Sequence, residues 1–204
     1  MIVNKIKFPE FTGLKCNMMP FIQGDASSLP KEYQPYAKII NDNFLEKGKI
    51  GLLTIDESFV KLNTSQRGFN YTGTGRNVHI EVGINNNVNM WGSGGGSSWG
   101  GHGNTFLNDN TQILIANNID NTCKVWDVIE KTETKNGDLT HIIDKYPENT
   151  GILLKAGELA KISIFTPHEC IIQLKESFRQ FIRIVGEGVT GRESYFTVNP
   201  ILNQ

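Results

Sequence analysis

Leu154-Lys155-Ala156-Gly157-Glu158-Leu159-Ala160-Lys161-Ile162-Ser163-Ile164-Phe165-Thr166-Pro167-His168-Glu169, followed by Phe178-Arg179-Gln180-Phe181-Ile182-Arg183-Ile184, decides how the rest of the chain is read. Leu159 to Phe165 is a short apolar-rich run closed by turn-forming Thr-Pro, the signature of a strand. In the second run, Phe178, Gln180, Ile182 and Ile184 fall on one face of an extended segment and Arg179, Phe181 and Arg183 on the other. His168 thus stands just after one strand and Arg179 at the head of the next.

The same signature recurs outward in both directions. Short apolar runs at Ile50–Ile55, Asn77–Gly83, Gln112–Asn117, Lys124–Lys131, Thr140–Asp144, Cys170–Leu174 and Tyr195–Val198 are separated by turn residues, and 21 glycines punctuate the chain. Phe178–Glu187 completes the set. The pattern predicts an all-β fold, a β-rich meander or jelly roll. Asn136-Gly137 tolerates positive φ at both positions and predicts a hairpin joining Lys124–Lys131 to Thr140–Asp144. One N-terminal helix is expected, capped at Ser28 with Pro30 in its first turn, carrying Tyr36, Ile39, Ile40 and Phe44 on one face and closed by Gly48. Residues 1–49 then form an extension and helix packed on a barrel of residues 50–204. The glycine-rich loop 92–104 lacks the Gly-Lys-Ser/Thr ending of a phosphate loop. It reads either as a lid presenting Trp91 and Trp99 to a ligand or as a hairpin excursion folded back on the barrel.

At 204 residues the chain is long enough for one well-buried core. Lys and Arg total 20 against 21 Asp and Glu, so no broad positive field exists to hold nucleic acid or an anionic membrane. No leader-like apolar run opens the chain, and no membrane-length apolar stretch follows, so the expectation is a soluble, cytoplasmic protein. Cys16, Cys123 and Cys170 are odd in number and widely spaced, which argues against a disulfide framework and a thiolate zinc site and for mostly buried, reduced thiols.

Chemistry concentrates on three residues. In an extended segment His79 and Glu81 share a face, and with distant His168 they make two imidazoles and one carboxylate, the set that holds a non-haem iron while leaving coordination positions open. Other divalent metals suit the same donors. Arg179, eleven residues beyond His168, has the reach to pair with a carboxylate bound to that metal. The alternative for His79 and Glu81 is a solvated strand face, and for His168 a hydrogen-bonded structural role. Arg67, Arg76 and His102 are candidates for the rim of the same mouth, whereas His141 reads as a structural residue of the hairpin strand. No nucleophile elbow is present.

The His-x-acid pair, the distant His and the trailing Arg resemble the double-stranded β-helix oxygenases that use iron(II) and 2-oxoglutarate. Gly157-Glu158 leading to Thr166-Pro167-His168-Glu169 resembles the second motif of cupins, which share that barrel. The resemblance implies a core from Ile50 to Asn199, iron held by His79, Glu81 and His168, and Arg179 or Arg183 clamping the far carboxylate of 2-oxoglutarate. The substrate would be a small molecule or a protein side chain. The chain departs from the oxygenase pattern at Glu81, where Asp is usual, and at Phe181, where a small hydroxyl residue is common. Two other readings stand beside it. One is a non-enzymatic jelly roll serving as a viral capsid, tail or decoration component, a homo-oligomer located in the virion. The other is a carbohydrate-binding module stacking sugars on Trp91, Trp99 and Trp126.

Overall fold

A computed structural model describes residues 1–65, 76–86, 88–91 and 104–202. In chain order the strands are β1 (Ile2–Lys5), β2 (Lys15–Ile22), β3 (Ile50–Val60), β4 (Val82–Asn85), β5 (Val88–Trp91), β6 (Thr105–Leu107), β7 (Gln112–Asn117), β8 (Cys123–Val125), β9 (Ile152–Leu153), β10 (Glu158–Ser163), β11 (His168–Cys170), β12 (Ser177–Val185) and β13 (Val189–Gly191). They form a six-stranded sheet in the order β1-β10-β7-β12-β3-β2, a three-stranded sheet β11-β8-β9 and a four-stranded sheet β13-β6-β5-β4. All named pairings are antiparallel. The fold is therefore mostly β, as the apolar runs predict.

The large sheet is buried on both faces, which is why its central strands read as near-continuous apolar runs. On β7, Ile113 and Ile115 enter one core cluster while Leu114 and Ala116 enter the other. Ile182 and Ile184 of β12 join the second cluster, beneath Leu29, Tyr36, Ile39 and Ile40 from the N-terminal segment. The first cluster fills the space between the opposite face and the two small sheets, with Val78, Ile80, Val125 and Ile164 among its members. Three layers result: N-terminal helical turns, large sheet, small sheets. No helix among the described residues is long and apolar enough to cross a membrane.

Several elements differ from expectation, each for a local reason. The N-terminal helix is broken into two 3-10 turns, Ala26–Ser28 and Lys31–Tyr36, and one short α-helix, α1 (Ala37–Asp42). Pro35 lies inside the second turn and has no N–H to give a longer helix. Thr140–Lys145 is a 3-10 helix, not a strand, so the expected hairpin is absent. The turn itself forms, with Asn136 at φ 55° and Gly137 at φ 79°. Its partner is the 78–84 segment instead: Ile80 N–H donates to Gly137 O at 2.9 Å and Ile84 N–H to Thr134 O at 2.9 Å. The ladder of β8 ends at Val125, short of Lys131, and Tyr195–Val198 is not a strand. Sequence reading also passed over β1 and β2, which pair with β10 and β3 in the large sheet.

Candidate functional site

The site is assembled from two facing sheets. Thr166 and Pro167 make the turn that places the first side: Thr166 N–H donates to Ser163 O at 3.0 Å, and Pro167, lacking an N–H, offers only its carbonyl to Trp126 N–H at 2.9 Å. The chain emerges as β11 with His168 at its head. Beside it runs the 77–81 segment, bonded on both flanks. His79 and His168 exchange both backbone hydrogen bonds at 2.9 Å, while Ile80 N–H and Val78 O reach Gly137 and Leu139 on the other flank. Alternation then turns His79 and Glu81 the same way, toward the large sheet.

From the large sheet, Thr54, Ile115, Asn117, Phe181 and Arg183 face them across a cavity of about 40 Å³. His79, Glu81, His168, Cys123 and Cys170 line its other side. The three ligands expected from sequence therefore meet in one small buried chamber. Relative exposure of His79 is 0% and of Glu81 3%, which removes the solvated-face alternative.

Both imidazoles are held in one orientation. His79 Nδ1 lies 2.8 Å from Asn77 O and His168 Nδ1 lies 3.0 Å from Thr166 O. A carbonyl accepts only, so each Nδ1 carries the proton and, in the neutral ring, Nε2 holds the lone pair. This is the arrangement that fixes the tautomer of metal-binding histidines. The rings are 4.2 Å apart between centroids, and His168 Nε2 stands 3.6 Å from Glu81 Oε1. A lone pair facing a carboxylate is repulsive unless a proton or a metal cation lies between them.

The carboxylate has another partner. Arg183 Nη1 donates to both oxygens of Glu81 at 3.2 Å, Nη2 donates to Thr54 Oγ1 at 3.3 Å, and the guanidinium lies 4.6 Å from the Trp91 ring centroid. Burial pushes the Glu81 carboxyl up, but the Arg183 charge outweighs it, joined by His168 and His79 to the extent that those rings are protonated, and the group is held well below the usual carboxylate range. Glu81 is thus ionised. Among the described residues, no group of three or more His, Cys, Asp or Glu side chains is placed to hold a metal ion as it stands. The donors nonetheless suit one in kind: two tautomer-fixed imidazoles and an ionised carboxylate. Buried Asn117 lines the same chamber with neither amide atom hydrogen-bonded among the described residues.

Other expected residues fall elsewhere. Arg179 does not line the chamber; it is fully buried, 3.6 Å from Asp56 Oδ2 and 4.8 Å from the Phe181 ring centroid. Trp91 is buried behind Arg183 rather than set on a rim, and Trp126 is buried with Nε1–H bonded to Thr150. Neither offers a sugar an open face. Arg76 is bonded to Glu169 at 3.1 Å through Nε and Nη2, and exposed His141 sits on the 3-10 helix. Arg67, Trp99 and His102 lie outside the described residues. Sequence reading missed Asn117, Cys123 and Cys170 in the chamber, although parity could have placed two of them. Cys170 is two residues from His168, and Asn117 two from Ile115 on a strand correctly expected.

No family model, curated protein or solved structure matches this chain.

Proposed function

We propose that the protein is a cupin-like, metal-dependent jelly roll of the iron(II) oxygenase type, with a single divalent ion held by His79, Glu81 and His168. One observation carries the reading: residues distant in sequence converge on a small chamber in which both histidines have Nδ1 committed to backbone carbonyls. Such anchoring is costly to build and orients Nε2 for a ligand. Iron(II), when bound, would supply the site at which dioxygen is activated, and hydroxylation of a small molecule or side chain there would take its two further electrons from an external reductant.

The chain's own residues prepare the chamber. Arg183, held by Thr54 and stacked on Trp91, balances the Glu81 charge and keeps the buried carboxylate ionised. Phe181 and Ile115 provide an apolar wall, which strengthens every electrostatic contact inside. A cavity of about 40 Å³ has room for an ion and a few water-sized species. It does not hold 2-oxoglutarate, and Arg183 is engaged by Glu81 rather than turned toward a second carboxylate.

The test is metal content. Wild type purified without a tag, or loaded anaerobically with iron(II), should carry about one metal ion per chain by elemental mass spectrometry, and His168→Ala should carry none while keeping the wild-type circular dichroism spectrum. A wild type that stays metal-free after iron(II) loading sinks the proposal.

A second reading, an assembly component without enzymatic activity, is favoured by one surface feature. Phe178 packs against Phe11 and Phe59, with ring centroids 5.0 and 5.3 Å apart, yet is 62% exposed, and nearby Leu174 is 84% exposed. Exposed apolar groups clustered in this way mark contact surfaces. Concentration-dependent assembly of a metal-free chain would decide for it.

A further inference from the structure

The chamber wall carries two thiols that the proposed metal site does not use. Cys123 and Cys170 stand directly opposite each other on the antiparallel pair β8 and β11. The hydrogen bonds identify the kind of pair. Ile171 N–H donates to Thr122 O at 3.0 Å and Trp126 N–H to Pro167 O at 2.9 Å, so bonded positions alternate along the ladder and Cys123–Cys170 falls between them. Consistently, Cys123 O turns away to accept from Leu154 N–H at 3.0 Å. In such a non-hydrogen-bonded pair the Cα atoms are about 4.5 Å apart with side chains on the same face. A disulfide accepts Cα separations of about 4.4–6.8 Å, so the backbone already meets its requirement.

We propose that Cys123 and Cys170 close a reversible disulfide in the wall of the chamber, formed by exchange with a small disulfide of the glutathione class. The bond does not depend on whether the chamber holds an ion. Cys170 is half-buried and Cys123 buried, which sets the order of events. Cys170 sulfur attacks one sulfur of oxidised glutathione, and one glutathione leaves as its thiol. Cys123 sulfur then attacks Cys170 sulfur, displacing the second glutathione, so two protein thiols become one disulfide and one oxidised glutathione becomes two reduced. The closed bond tethers β8 to the strand bearing His168 and removes both S–H groups from the chamber. Cys16 takes no part, since it lies in the other core cluster with its thiol 3.6 Å from Leu53 O.

The folded full-length chain should be incubated with oxidised glutathione, denatured, alkylated and mapped by mass spectrometry. Expected is an intramolecular link between the Cys123 and Cys170 peptides with loss of two hydrogens, reversed by dithiothreitol, with Cys16 still alkylated. Cys16→Ser should form the same link. Cys123→Ser should stop at a stable glutathione adduct on Cys170. Recovery of both cysteines alkylated in the wild type, a glutathione adduct left on wild-type Cys170, or a link to Cys16 or to a second chain overturns the proposal.

Discussion

Glu81 and Arg183 form the most consequential contact at the scale of single residues, because each is a buried charge whose compensation is largely the other. Pairing two buried ions does little net work for stability, but removing one partner strands the other in a low-dielectric interior. Arg183→Met should therefore cost about 3–5 kcal/mol in urea denaturation, and adding Glu81→Gln should recover a large part of it. Additive losses in the double variant would mean that the two groups are not coupled. The residues were legible in the sequence as a His-x-Glu pair and an arginine-bearing strand. Their partnership was not, because the choice between Arg179 and Arg183 depends on which arginine the facing sheet meets. Arg183 pairs in register with Thr54 and Ile115, next to the chamber, whereas Arg179 pairs with Ser58 nearer the end of β12.

At the scale of elements, the Asn136-Gly137 turn had the conformation its residues dictate and a partner they do not. A Cβ on Gly137 would lie 2.1 Å from Ile80 O, and its φ of 79° disfavours any other residue. Gly13 has the same φ region, at 80°, with open space around it. Gly13→Ala should cost about 1 kcal/mol from backbone strain alone. Gly137→Ala should cost clearly more and should weaken protection of the Ile80 amide in hydrogen exchange, since that amide donates to Gly137 O. Equal losses in the two variants would refute the close-approach argument. A second element-scale tie joins the irregular stretch after β8 to the 3-10 helix. Glu130 accepts from Thr132 Oγ1, from Tyr146 Oη at 2.7 Å, from Lys145 Nζ at 3.2 Å and from Thr132 N–H at 3.0 Å. Burial pushes its carboxyl up, but those hydrogen bonds prevail and bring it down to about 2. A carboxyl lower in the folded than in the unfolded chain stabilises above the unfolded value of about 4.3, and the contribution fades as pH falls toward the folded value. Glu130→Gln should lower the melting temperature at pH 7, with the gap from wild type narrowing between about pH 4 and 2. A gap independent of pH would refute it.

For the molecule as a whole, Glu57 ties the layers together. From β3 its carboxylate accepts from the N–H groups of Thr12 and Leu14 at 2.7 and 2.9 Å, from Tyr36 Oη at 2.8 Å and from Gln180 Nε2 at 2.8 Å. One buried side chain thus holds the N-terminal segment, the helical layer and β12. Glu57→Gln turns an amide N–H2 toward some of these donors and should cost about 2–4 kcal/mol, seen as a lower urea midpoint with an unchanged slope. A changed slope would mean instead that the N-terminal layer detaches separately. By itself the sequence determined the β character, the strands β7, β10 and β12 and the three residues that meet in the chamber, because strand periodicity and side-chain chemistry are local properties. Only the tertiary structure decided that Thr140–Lys145 winds into a 3-10 helix, that Arg183 rather than Arg179 meets Glu81, and that Cys123 faces Cys170. Those outcomes depend on which strand lies beside or across from another, and the chain settles that by burying both faces of the large sheet at once.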